Sequence, residues 1–422
     1  MFIGIDVGTG SARAGVFDPS GVLHGTAAQD IALWKGPGNR VEQSSGDIWR
    51  AVCAAVRGAV AAAGVEPDAV QGIGFDATCS LVIPGEGGAP LPVAEDRNII
   101  VWMDHRATPQ AERINALEHG VLDYVGGTIS PEMETPKLLW LKENMPQVYD
   151  AAWQFMDLTD FLTWRASGDL ARSICTVTCK WTYLGHENRW DAGYFEQIGL
   201  GDLCAGDFQR IGSRVVPAGT ALGQGLIEAA ARDMGLIAGT PVGAGLIDAH
   251  AGGLGTVGTA GDPTADLGYV FGTSSCTMTT TRDPAFVPGV WGPYNSAMIP
   301  GMWLNEGGQS AAGAAVDQLI DHHPFAPEAH RLADAAGQSL SAWLAAQVGE
   351  RDVLDMVEGV HVVPEVLGNR APMPTPIGGR RSWASAWTAV WTACLRCIWR
   401  RCVALAMACA RSSRRRTPPV QG

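Results

Sequence analysis

The chain has 422 residues, 46% of them hydrophobic and 17% charged, a length that suits two or three domains with substantial cores. Its net charge of −13 excludes a general nucleic-acid or membrane-surface role, and it contains no run of about 18 apolar residues to span a membrane. The start, MFIGIDVGTG, carries neither a basic leader nor a signal-length apolar run, so a cytoplasmic protein is expected, with its ten cysteines reduced and packed as small core residues.

Taken in chain order, residues 2–7 read as a buried strand with Asp6 near its end, Gly8-Thr9-Gly10-Ser11 as a turn, and residues 12–18 as the returning strand; residues 22–27 suit a third. Many hairpins look like this. This turn, however, offers successive N–H groups and two hydroxyls, the equipment of an anion nest, and Asp6 stands where it could hold Mg²⁺ directly or through water. Residues 45–65 place Ile48, Val52, Ala55, Val56 and Val60 at helical spacing. Residues 69–77 are a buried strand ending in Asp76-Ala77-Thr78-Cys79-Ser80, a polar cluster at the kind of carboxyl end where α/β sheets bind ligands.

Residues 97–106 (RNIIVWMDHR) form a short apolar strand that emerges into Trp102, Asp104, His105 and Arg106. That is a wall suited to a polyol, with an aromatic face over C–H groups and charges for hydroxyls; the other reading is a solvated strand end. Thr108-Pro109 has N-cap and N1 character and opens a helix to about His119. Helices follow over 132–144, after the proline, and over 151–167, while residues 175–183 (CTVTCKWTY) read as strand or loop holding Lys180. A helix over 226–236 leads to an apolar strand, 241–248, which delivers Asp248 to a glycine-rich turn; a helix or turn of small residues follows over 250–258.

A new unit begins after Gly261-Asp262-Pro263. Residues 266–281 repeat the layout of residues 2–17, strand, turn (Gly272-Thr273-Ser274-Ser275), strand, so two similar domains facing across a cleft are expected, 1–258 and 259–372. Glu306 and Gln309 stand at the mouth of an apolar helix that runs to about Ile320 and that Ser310 caps; they either reach substrate or serve the cap. Residues 361–372 read as a strand and a turn.

A lone Asp in a glycine-rich turn is ordinarily structural. Two matching turns, one on each side of it in the chain, point instead to phosphoryl transfer. That reaction needs phosphates held, charge offset by metal and N–H donors, and a carboxylate to take the hydroxyl proton. The turns are therefore read as holding ATP phosphates and Asp248 as the general base, with His250 its only charged neighbour for several residues. Domain closure would keep water out.

These residues resemble the FGGY family of carbohydrate kinases, within the actin/hexokinase/Hsp70 superfamily. The carrying strings are DVGTGSAR (6–13), DATCS (76–80), WMDHR (102–106), GLIDAHAGG (245–253) and GTSS (272–275), over residues 1 to about 372. FDATCS, RNIIVWMDHRA, PEMETPKLLWLK and EGGQSA are nearer the ribulokinase branch than glycerol kinase or xylulokinase. The resemblance implies an α/β fold of two RNase H-like domains flanking a cleft, the second incomplete. It implies MgATP as donor and phosphorylation of a primary hydroxyl on a pentulose or pentitol. Carried onto this chain, Asp248 is the base and touches substrate, and Asp6 serves the metal. Gly8, Thr9, Gly10, Ser11 and Arg13 serve the first phosphate turn, and Gly272, Thr273 and Ser274 the second. Cys79, Trp102, Asp104, Lys180 and Glu306 contact the sugar. The implied partners are a small sugar and ATP, with neither nucleic acid nor membrane; a homodimer is compatible with the sequence.

From about Met373 the composition changes. Residues 373–422 hold nine Arg and no Lys, Asp or Glu, with four of the ten Cys and four of the fifteen Trp. Out-of-frame translation of a GC-rich gene gives such a composition, and the expectation is an aberrant tail in place of the adenine-receiving segment. A basic tail for nucleic acid is the functional alternative, and the lone Cys394-x-x-Cys397 pair lacks a second pair at zinc spacing. Two other classes stand beside the kinase at this point: a catalytically inactive sugar-binding protein, if the adenine pocket is lost, and an actin-like assembly protein. The wall at 102–106 and the pentulose-like strings speak against the last.

Overall fold

The computed structural model describes residues 1–258, 261–272, 274–309, 312–348, 361–363 and 381–383. Two compact units divide the chain: residues 1–266 with 280–286 and 292–305, and residues 267–279, 287–291 and 306–422.

In the first unit β1 (Phe2–Val7), β2 (Ser11–Phe17) and β3 (Leu23–Asp30) form an antiparallel meander. The strands Gly72–Ala77 and Leu246–Ile247 add in parallel beyond β1, giving a five-stranded sheet with Leu246–Ile247 at one edge and β3 at the other. Period-two alternation sends Ile3, Ile5 and Val7 of β1 and Ala12, Ala14 and Val16 of β2 into one core. Helix α1 (Ser45–Ala63) adds Ile48, Val52, Ala55, Val56 and Ala59 to it, none more than 1% exposed. Each buried branched side chain contributes about 1.5–3 kcal/mol relative to exposure. The helix lies close because β3 has Gly25, where a Cβ would meet the backbone of Ala59 and Ala63; it stops at Gly64, in the left-handed region at φ 63°. A second sheet of five short antiparallel strands runs Trp34–Gly36, Arg40–Gln43, Ile99–Ile100, Leu81–Val82, Met156–Asp157.

Several elements differ from the sequence reading. Residues 174–180 are a helix, Ile174–Lys180, capped by Ser173, whose hydroxyl accepts the Cys175 N–H. The long helix expected over 151–167 is only Leu158–Ser167: the Asp157 carboxylate accepts the Thr159 N–H and starts it, and Met156–Asp157 is a strand. The helix opened by Thr108 ends at Asn115, with Ala107 at its N-cap and the Thr108 hydroxyl donating to the His105 carbonyl. Pro136 lies inside the first turn of Glu134–Asn144, where its missing N–H costs nothing. The strand expected over 241–248 shrinks to Leu246–Ile247; ahead of it Val242 keeps a single parallel bridge to Ile73, while Val242 and Ala244 also bond to the segment 219–222. Asp248 then opens a helix, Asp248–Val257, where a glycine-rich turn was expected.

In the second unit Leu267–Phe271 pairs antiparallel with Ser275–Thr279 around Gly272, the same strand–turn–strand layout as β1 and β2. Helices Gly313–Asp321, Ala326–Ala335 and Leu340–Val348 share a small core of Ile320, Ala326, Ala329, Ala333, Trp343 and Leu344. His361–Val363 pairs antiparallel with Arg381–Trp383. Ser310, the turn at 364–372 and the rest of the tail lie outside the described residues. Among the described residues no helix is long and apolar enough to cross a membrane.

Candidate active site

Parallel register gathers three carboxylates at one end of the first sheet. Asp6 pairs with Asp76, and Asp76 with Leu246; Val7, Ala77 and Ile247 match one step on, and Asp248 follows directly. Carboxyl ends of parallel strands are where such sheets bind ligands. Burial first, and then the charges of Asp6 and Asp248, push the Asp76 carboxyl up to about 9, so it is protonated at neutral pH and hydrogen-bonds Asp6. Asp6 also accepts from Arg13 Nη1 at 2.7 Å. Asp248 sits in the first turn of its helix, where negative charge is favoured, and takes the Ala249 N–H on Oδ1 at 2.7 Å. The strand that brings it there passes so close to its neighbour that a Cβ on Gly245 would strike the Phe75 carbonyl and the Thr159 methyl.

The Gly8–Ser11 turn closes through the Gly8 N–H on the Ser11 carbonyl at 3.0 Å. Gln43 donates to the Thr9 carbonyl at 2.8 Å, and Trp102 Nε1 donates to the Thr9 hydroxyl at 3.1 Å. The phosphate-type turn and the aromatic wall are thus joined by one bond. A Cβ at Gly10 would meet nothing within 4 Å, so the turn has open space on that side for a ligand. Cys79 and Trp102 are 5% and 8% exposed, and the Trp102 N–H bonds the Ser80 hydroxyl.

Asp104 is among the residues that the sequence reading gives to the sugar. It is fully buried and takes Val41 N–H on Oδ2 at 2.5 Å and Arg106 through three donors at 2.7–2.9 Å, while Arg106 reaches on to Glu42 at 2.8 Å. It braces the Trp102–Arg106 segment from within. Lys180 is 2% exposed at the end of its helix and acts electrostatically on Glu134. Burial pushes Glu134 up to about 7 against the pull of Lys137 and Lys180. The sequence reading placed Asp76 in a ligand-facing cluster without giving it a role, and it did not single out Glu134, whose signal was the PEMETPK string.

In the second unit Gly272 N–H closes the turn on the Ser274 carbonyl at 2.9 Å, and the Gly272 carbonyl accepts from Gly313 N–H at the start of the next helix. Thr273 lies outside the described residues. Glu306 is in mid-strand, 2% exposed, and accepts from Cys276 Sγ at 3.3 Å. Ser275 Oγ and both side-chain polar atoms of Gln309 are buried without a partner among the described residues, which suits a polar ligand beside this turn.

The FGGY carbohydrate kinase N-terminal domain model matches residues 1–255, and the C-terminal domain model matches 267–397. The chain belongs to the FGGY family of carbohydrate kinases. The family match runs past residue 372, where the sequence reading ended it. An FGGY carbohydrate kinase domain-containing protein of Homo sapiens is 47% identical over 391 residues, 88% of this chain and 70% of the relative. A D-ribulokinase of Saccharomyces cerevisiae is 38% identical over 418 residues, 89% of this chain and 58% of the relative. The structure of a xylulose kinase from Rhodospirillum rubrum superposes at TM-score 0.74 with 20% identity, over 98% of this chain and 77% of that one. Among the described residues no group of three or more His, Cys, Asp or Glu side chains could hold a metal ion.

Proposed function

We propose that this FGGY kinase transfers the γ-phosphoryl group of MgATP to a primary hydroxyl of a pentulose of the D-ribulose type. The observation that carries the reading is Asp248, set at a strand end within electrostatic reach of Asp76, whose partner Asp6 borders the open Gly8–Ser11 turn. The 38% identity to a D-ribulokinase supports the sugar class.

Asp248 takes the proton of the acceptor hydroxyl as that oxygen attacks phosphorus. The Gly8–Ser11 turn, with Arg13, and the Gly272–Ser274 turn hold phosphate oxygens through N–H groups and hydroxyls. Asp6 would hold the Mg²⁺ side, where the ion would offset charge on the phosphates. Trp102 covers the sugar's C–H face, and Lys180 and Cys79 fix its hydroxyls.

The test is ADP release by the purified full chain with D-ribulose, L-ribulose, ribitol and xylulose. D-Ribulose is expected to give the highest kcat/KM, and Asp248→Asn to lower kcat by about 10²–10⁴ with little change in sugar affinity. A folded protein silent on all four, or stabilised by pentose but indifferent to MgATP, would refute the reading.

A further inference from the structure

We infer that Cys175, together with His250, is a positioning residue for Asp248, its sulfur holding the backbone N–H just before that carboxylate and the His250 side chain just after it. The inference rests on Asp248 being the base.

Among the described residues the strand Leu246–Ile247 is an edge strand, with a neighbour on one side only. Side chains supply the missing partners. The Ser173 hydroxyl donates to the Gly245 carbonyl at 2.7 Å, and the Thr159 hydroxyl donates to the Leu246 carbonyl at 3.0 Å. The Ile247 N–H donates to Cys175 Sγ at 3.4 Å. Ile247 is the residue before the base. The same sulfur lies 3.2 Å from Nδ1 of His250, two residues after the base, and Cys179 Sγ lies 3.8 Å from that nitrogen. Both cysteines are fully buried and His250 is 1% exposed, so the cluster acts through structure and not through contact with substrate.

The chemistry suits a clamp. Burial raises the Cys175 thiol, but the Cys179 bond and the His250 ring outweigh it and bring it down to about 5. Cys175 Sγ accepts the Ile247 N–H and lies within hydrogen-bond reach of His250 Nδ1, and charge-assisted bonds are about twice as strong as neutral ones. The base stands between the two anchor points, so loss of either lets its carboxylate drift. A displacement near 1 Å at a reacting group costs about 10²-fold.

The experiment is steady-state kinetics of full-length Cys175→Ala, Cys175→Ser, His250→Asn and Asp248→Asn with MgATP and the best sugar of the panel above. Cys175→Ala is expected to lower kcat at least about tenfold with sugar KM within about twofold. Cys175→Ser, whose hydroxyl still accepts the Ile247 N–H, should recover much of that loss. Wild-type kcat in Cys175→Ala overturns the inference, as does a loss that serine does not relieve and that raises KM in step. Should Cys175→Ala fail to fold, His250→Asn carries the comparison: a lower kcat at unchanged KM is expected, and an unchanged kcat overturns it. An inactive Asp248→Asn beside a fully active Cys175→Ala defeats the positioning role alone, whereas an active Asp248→Asn defeats the base assignment itself.

Discussion

Asp76 lies between two other acids, and the proton it keeps has a thermodynamic consequence. Its carboxyl titrates near 9 when folded, through burial and the charges of Asp6 and Asp248, against a reference of 3.8. Between those values the folded state binds a proton that the unfolded chain has released. Stability contributed by this group therefore falls as pH rises from about 4 to about 9, and is constant outside that window. Asn has the shape of the protonated acid and does not titrate. Asp76→Asn should thus gain on wild type between pH 5 and pH 9, by at least about 1.4 kcal/mol, the equivalent of a tenfold change in proton affinity. Urea unfolding of the ligand-free proteins at pH 5, 7 and 9 would show it. Parallel curves for the two proteins would mean that Asp76 is ionised throughout.

At the scale of elements, the most consequential one is the helix Ile174–Lys180. Ser173 both caps it and bonds the Gly245 carbonyl ahead of the base strand. Ser173→Ala removes two bonds to buried groups, a cap worth about 1 kcal/mol and a carbonyl acceptor worth about 1–3 kcal/mol. A loss of roughly 2–4 kcal/mol in chemical denaturation is expected, and one below about 0.5 kcal/mol would show that the clamp on residues 245–247 is not holding. This helix also marks where the sequence ceased to be readable. The hairpin around Gly8 and the helix α1 were legible because alternation and the 3.6-residue period are local patterns. ICTVTCK is buried on every side, so it has no polar face to reveal a period, and its β-branched residues favour a strand. The burial of Asp104 was hidden for a related reason: a strand ending in charges looks solvent-directed, while its partner Val41, and Glu42 that pairs with Arg106, are far upstream. The Asp6–Asp76 register was equally out of reach, because parallel pairing across a crossover leaves no local mark.

For the whole molecule, the division into two units gives the function a spatial signature. Cys79, Trp102, Lys180 and Asp248 belong to the unit built on residues 1–266, whereas the Gly272–Ser274 turn and Glu306 belong to the other. Ligand that binds only the folded state stabilises it by about 2.7 kcal/mol at a hundred times its Kd, and the slowing of amide exchange appears first where local opening governs exchange. D-Ribulose alone should slow exchange in peptides covering 76–82, 99–103, 174–182 and 246–252. MgADP alone should slow it in 7–13 and in the hairpin 267–279. Peptides around Asp104 and Arg106 should change little with either, since their buried ion pairs already hold that segment closed. Exchange measured with each ligand singly separates the roles: ribulose acting on the 267–279 hairpin while sparing the peptides of Trp102 and Lys180 would reverse the assignment of sugar and nucleotide.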